Sequence, residues 1–206
     1  MKQSKAMKIL IGAILAGAFL IQGPFRPTVL TLFSSVFSTM GYIGNFLINN
    51  GIAYIAFFAC MYLLFKEIKW SAALAAGLLV IDVIGDLLSF LPVLSIVYQI
   101  IRPLLVVALL LAVFYWITKK KVVFSKPLLI AGICLLGTNV VLTIVDHIYY
   151  MILLNSFINI DMMNFLQLMS AADNIFSILA IGSFYGLAFV MFWLMLKSQG
   201  GEQDET

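Results

Sequence analysis

Long apolar runs separated by short polar segments dominate the chain, and their lengths match what a bilayer demands. A helix needs about 20 predominantly apolar residues to cross a hydrocarbon core roughly 30 Å thick. Six runs reach or approach that length: Lys8 to about Gly23, ended by Pro24; about Tyr42 to Phe65; about Ser71 to Phe90, stopped by Pro92; about Ser95 to Thr118; about Pro127 to Tyr150; and about Asn174 to Leu196. None alternates with the period of a barrel strand, and lipid offers no partner to an open backbone, so each is expected to be an α-helix. The expected fold class is all-α, with six transmembrane helices in one bundle over residues 1–197. Residues 198–206, polar and acidic at the end, are expected to form a disordered cytoplasmic tail.

Two connections are long. Pro24 to about Gly41 is apolar and suits an interfacial helix or a lid, while about Met151 to Ala172 mixes Asn155, Asn159, Asp161 and Asn164 with large apolar residues, as a helix lying in the interface would. A seventh span over Thr28 to Ile48, with Asn49-Asn50-Gly51 as a turn, is the rival count. A cleaved leader is a second rival, since Lys2, Lys5 and Lys8 precede an apolar stretch and Ala16-Gly17-Ala18, but the apolar run continues past Ala18. No internal repeat is evident, so nothing supports an inverted-repeat transporter.

Composition excludes whole classes. The 206 residues are 64% hydrophobic and 10% charged, against about 45–50% and about 25% in soluble domains. A soluble domain, a disordered chain and a nucleic-acid binder are all excluded, and the expected location is the cell membrane, as a multi-pass protein. The net charge of +3 is small, so position matters more than the total. Lys2, Lys5 and Lys8 precede the first span, Lys66 and Lys69 join the second and third, Lys119, Lys120, Lys121 and Lys126 join the fourth and fifth, and Lys197 follows the sixth. Six spans place all of these on one face, expected to be cytoplasmic together with both termini. Seven spans would scatter them. Cys60 and Cys134 sit in apolar runs without metal-ligand spacing and are expected to be packing residues.

Against this background the ionisable residues inside spans stand out, because each costs roughly 2.5–3.5 kcal/mol to insert. They are Asp82, Asp86, Arg102, Asp146 and His147. Asp82 and Asp86 are one helical turn apart and share a face. Counting about 1.5 Å per residue from Ser71 and from Ser95 puts Asp86 and Arg102 at nearly the same depth, so an Asp86–Arg102 ion pair is expected. Asp82, deeper, would then be the carboxylate lacking a full partner and able to hold a proton, as proton-linked transport requires. His147 is the only histidine, the residue type suited to changing charge near physiological pH. With Asp146, Gln99 and Asn139 it is expected to join Asp82, Asp86 and Arg102 around an outward-facing polar cavity. One histidine among carboxylates is too thin for zinc, so no metal is expected. Asp173 suits the N-cap of the last helix.

Gly12/Ala16 and Ala13/Gly17 on the first span, and Ala72/Ala76 and Ala73/Gly77 on the third, have small-xxx-small spacing. They suit close packing within the chain, or docking of another membrane subunit. No nucleotide, hydrolase, zincin or bis-histidine haem motif is present, and no cofactor is expected. In length, topology and small-residue first helix the chain resembles the substrate-binding subunits of energy-coupling-factor transporters, which implies capture of a small ligand from outside. Ala171-Ala172-Asp173 resembles part of the Asn-x-Ala-Asp segment of lipoprotein signal peptidases. Ser170 stands where that Asn belongs, and the family's second motif is absent, so the activity is not carried over. Three functions stay in play: a transport or substrate-binding subunit taking a small polar ligand or proton; a non-catalytic accessory, immunity or assembly protein whose partners are lipid and other subunits; and an intramembrane hydrolase at the outer leaflet. The lysine pattern makes one prediction: a fluorescent reporter that matures only in the cytoplasm, fused after Thr206, will fluoresce, and a dark fusion with normal expression would overturn the six-span topology.

Overall fold

The structure, a computed structural model, describes residues 5–32, 36, 44, 46–118, 126–156 and 162–200. Every element among them is helical: α1 (Lys5–Gln22), α2 (Arg26–Leu32), α3 (Ile52–Phe65), α4 (Ile68–Leu88), α5 (Pro92–Thr118), α6 (Lys126–Ser156) and α7 (Met162–Gly200). A single π-helical turn, Leu47–Gly51, runs into α3. Among the described residues six helices are long and apolar enough to cross a membrane: Lys5–Gln22, Ile48–Phe65, Ile68–Leu88, Val93–Thr118, Lys126–Tyr149 and Gln167–Lys197.

Lipid sets the terms for the polar side chains of these helices. Thr118, Thr138 and Thr143 each return their hydroxyl to the carbonyl four residues back, at 2.9, 2.8 and 2.9 Å, which removes a donor that hydrocarbon could not satisfy.

Consecutive membrane-length helices run antiparallel. α3 and α4 are separated only by Lys66 and Glu67, and Lys66 takes a left-handed conformation (φ 56°) with its N–H donating to the Tyr62 carbonyl at 2.7 Å. α1 packs on both α3 and α7, and α6 packs chiefly on α7. Lys8 Nζ lies 4.9 Å from the centre of the Trp193 ring, which ties the start of α1 to the end of α7. Alternation of direction therefore collects Lys5, Lys8, Lys66, Lys69, Lys126 and Lys197 at one end of the bundle.

The apolar core fills the half nearer the lysines. Phe57 of α3 is fully buried and sits among three aromatic rings of α7, with centroids 5.9 Å from Phe184, 6.4 Å from Tyr185 and 5.8 Å from Phe192. Leu74, Leu110, Phe114 and Met195 belong to the same buried core. α6 is peripheral, with 11% of its span buried against 44% for α3. Of the small residues, Gly12 packs on Phe189 and Gly77 on Leu109, whereas Ala13, Ala16, Ala72, Ala73 and Ala76 are exposed on the bundle surface.

Three expectations shift. Met151–Ser156 continues α6 and Met162–Ala172 begins α7, so these residues extend the spanning helices instead of forming a separate interfacial one. No proline or glycine interrupts either stretch, and continuing a helix keeps every backbone group paired. At 31 and 39 residues, α6 and α7 are each longer than the roughly 30 Å core requires. In the first outer connection α2 occupies Arg26–Leu32, while 33–35, 37–43 and 45 lie outside the described residues. Residues 198–200 belong to α7, and the remainder of the expected tail, 201–206, also lies outside.

The α4–α5 contact depends on a glycine. A β-carbon at Gly85 would come within 2.7 Å of the Tyr98 ring, while one at Gly17 would meet nothing within 4 Å. Gly85→Ala is therefore expected to destabilise the protein in detergent by about 1–3 kcal/mol, through overpacking. Gly17→Ala is expected to be neutral or to stabilise by up to about 1 kcal/mol. Unfolding midpoints of the two variants check the contrast.

Candidate ligand-binding cavity

Away from the lysines the bundle is not filled by apolar side chains. Here α1, the π-turn, α3, α4, α5, α6 and α7 surround a cavity of about 480 Å³, within the roughly 300–1,000 Å³ typical of small-molecule sites. Its lining includes Ser89 and Ser95 from the α4–α5 end, and Asp82, Arg102, Asn139 and Tyr185 from deeper in those helices.

Three polar groups connect α3, α4 and α5 at the inner wall. Arg102 Nη2 lies 2.7 Å from Asp82 Oδ1. The Tyr54 hydroxyl donates to the other oxygen of the same carboxylate. The Asp82 side chain is 6% exposed, while that of Arg102 is 41% exposed, so the pair is open to the cavity on the arginine side. The guanidinium also stands 6.0 Å from the centre of the Phe184 ring. The Tyr98 hydroxyl donates to the Ile81 carbonyl, fixing α5 against α4 one residue from the ion pair.

A second polar chain joins α1, α7 and the π-turn. The Tyr185 hydroxyl donates to Gln22 Oε1, and Gln22 Nε2 donates to the Asn49 carbonyl. On the α6 side, Asn139 is buried and its Nδ2 donates to the Ala180 carbonyl at 2.8 Å and the Ser183 hydroxyl at 3.0 Å. Pro103 lies inside α5. Having no N–H, it leaves the carbonyl of Gln99, four residues earlier, without its α-helical donor. Gln99 and Pro103 both line the cavity.

Of the residues singled out from sequence, Asp82, Asp86, Arg102, Gln99 and Asn139 line this cavity. Asp146 and His147 do not belong to the lining. His147 Nδ1 lies 2.8 Å from the Thr143 carbonyl, which makes Nδ1 the protonated nitrogen when the ring is neutral. Asp146 Oδ1 is buried with no hydrogen-bond partner among the described residues. No group of three or more His, Cys, Asp or Glu able to hold a metal occurs among the described residues.

The expected ion pair is corrected in its partner. Arg102 pairs with Asp82, the carboxylate assigned above as the one short of a partner. The cause is register. α5 begins at Pro92, not Ser95, so Arg102 lies about 15 Å along the helix from its start. Gly85 lies against Tyr98, and about one turn further in, three residues along α4 and four along α5, the level of Asp82 meets that of Arg102. Asp86 also interacts within the protein and lines the cavity nearer its end.

Sequence reasoning missed Gln22, Arg26, Asn49, Tyr54, Tyr98 and Tyr185. The available signal was the same for each: a polar group in or beside an apolar run needs a partner. Asn49 and Asn50 were expected as a possible turn between spans and instead form a π-turn, a device often found at functional sites.

The chain matches no family model, and neither the curated proteins nor the solved structures yield a similar chain.

Breaking a buried ion pair by removing one partner costs about 3–5 kcal/mol, and exposure of Arg102 to the cavity puts the cost here nearer about 2–3 kcal/mol. Asp82→Asn and Arg102→Gln are each expected to lower stability, and the double variant to cost less than the two losses combined. Additive losses in denaturation of all three variants would show that the pair is not coupled.

Proposed function

We propose that the protein is a small polytopic subunit of the cell membrane that binds, and serves to transport, a small polar ligand held in the cavity lined by Asp82, Asp86 and Arg102. The single observation that carries this reading is the cavity itself. A polar void of about 480 Å³ in a membrane bundle forgoes packing that apolar side chains would supply, and a purely structural ion pair has no need of it.

The lysines at the opposite end give the orientation. By the positive-inside rule that end and both termini lie in the cytoplasm, so the cavity faces outward. Half of the Asp82–Arg102–Tyr54 cluster is anchored in packed protein and half is presented to the cavity, an arrangement suited to holding a recognition group still. Fixed polar groups recognise a ligand at lower entropic cost than mobile ones.

One observation favours a second reading. Asp82 has both carboxylate oxygens engaged by protein groups, which is what an accessory or assembly protein with a structural ion pair would need. The two readings part on ligand-dependent stability. Thermal unfolding of the purified full chain in detergent, with amino acids, sugars, nucleosides and organic acids added one at a time, is expected to show a raised midpoint with at least one class. At 100 times Kd the stabilisation is about 2.7 kcal/mol. Gln99→Ala is expected to weaken that response by several-fold. No response to any solute, together with loss of stability alone in Asp82→Asn, would establish the accessory reading instead.

A further inference from the structure

Granted that the cavity is a ligand site, its charged groups say what the ligand carries. Arg102 is committed to Asp82 at 2.7 Å. Arg26 has no ion pair among the described residues. It opens α2 just after the turn that ends α1, with its backbone N–H on the Gly23 carbonyl at 3.2 Å. Arg26 lines the cavity, and its Nε is buried with no hydrogen-bond partner among the described residues. A buried donor left unpaired is costly, and more so on a cation. The planar fork of a guanidinium matches the oxygens of a carboxylate or a phosphate.

Charge balance narrows the ligand further. The described lining carries two arginines, Arg26 and Arg102, and two aspartates, Asp82 and Asp86. The formal charges cancel, so a simple anion would leave the cavity with a net charge in a low-dielectric surrounding, where it is penalised. A ligand with its own cationic nitrogen avoids this penalty. Residues that carry acceptors for such a nitrogen are part of the lining on this wall: Gln99, Asp82 and Asp86. We infer that the cavity takes a zwitterion, with its carboxylate or phosphate on Arg26 and its ammonium group toward the acceptor-rich α4–α5 wall.

This chemistry has two sources outside a cell, a free amino acid and the headgroup of phosphatidylethanolamine. The full-length protein is purified and placed in nanodiscs of phosphatidylglycerol, whose headgroup has no cationic nitrogen, and binding of each of the twenty standard amino acids is followed by scintillation proximity. In parallel, unfolding midpoints are compared in discs containing phosphatidylethanolamine and discs containing phosphatidylglycerol. Binding of an amino acid that Arg26→Gln weakens at least tenfold and Arg26→Lys weakens less supports the inference with a soluble ligand. A higher midpoint with phosphatidylethanolamine that disappears in Arg26→Gln supports it with a lipid headgroup. Acetate, inorganic phosphate and phosphatidylglycerol acting through Arg26 where zwitterions do not would overturn the zwitterion and leave the ligand site standing. Binding of a sugar or nucleoside alone, or zwitterion binding indifferent to Arg26→Gln, would do the same. Absence of every response would overturn both the inference and the ligand site.

Discussion

A carboxylate and a guanidinium placed within apolar helices must find each other, or water, and the geometry of this bundle is arranged so that both happen. Asp82 reaches Arg102 on the neighbouring helix and Tyr54 on the helix behind it. The three groups join α3, α4 and α5 at one level, and no slide of one helix past another by a turn of about 5.4 Å would preserve them. The glycine that admits the Tyr98 ring and the hydroxyl that ring places on Ile81 hold the same register. The wall of the cavity thus inherits its precision from the cost of stranding a charge in lipid.

The rest of the bundle divides the labour by height. Near the lysines, Phe57 and the aromatic residues of α7 make a dense apolar centre that gives the helices their packing energy. Above it, the same α3–α7 interface changes character within about two turns. There Tyr185, Gln22 and Asn49 replace hydrocarbon contacts with a chain of hydrogen bonds. Tyr185 belongs to both regimes: its ring stacks on Phe57 and its hydroxyl serves the polar chain. A tyrosine is suited to such a boundary because its body is apolar and its tip is not.

Much of the fold was legible in the sequence, because solvent imposes it. Six apolar runs and a one-sided set of lysines leave little freedom in helix number or alternation. Five of the seven residues singled out for a polar site line one cavity. The Asp86–Arg102 pairing failed because depth was counted from Ser71 and Ser95, whereas the true hairpin register depends on where α5 starts and on Gly85 meeting Tyr98. Asp146 and His147 were grouped by ionisability and similar height, which carry no information about which side of a helix faces which neighbour. Arg26 and Gln22 escaped because span-end residues look solvated until tertiary contacts close over them, and Asn49 escaped because it takes part through its backbone carbonyl, which its residue type does not announce.

Two arginines set against two aspartates decide what the membrane potential can do at this site. Moving one elementary charge through the full field is worth about 2.3 kcal/mol per 100 mV. The described lining has no net formal charge, and a zwitterion entering it would carry no net charge through the field. Loading by such a ligand would be electrically silent, with occupancy following ligand concentration alone whether the membrane is energised or collapsed. Any coupling to the cell's energy must come from outside the cavity, through a proton, an ion or a partner subunit that acts on the helices around it.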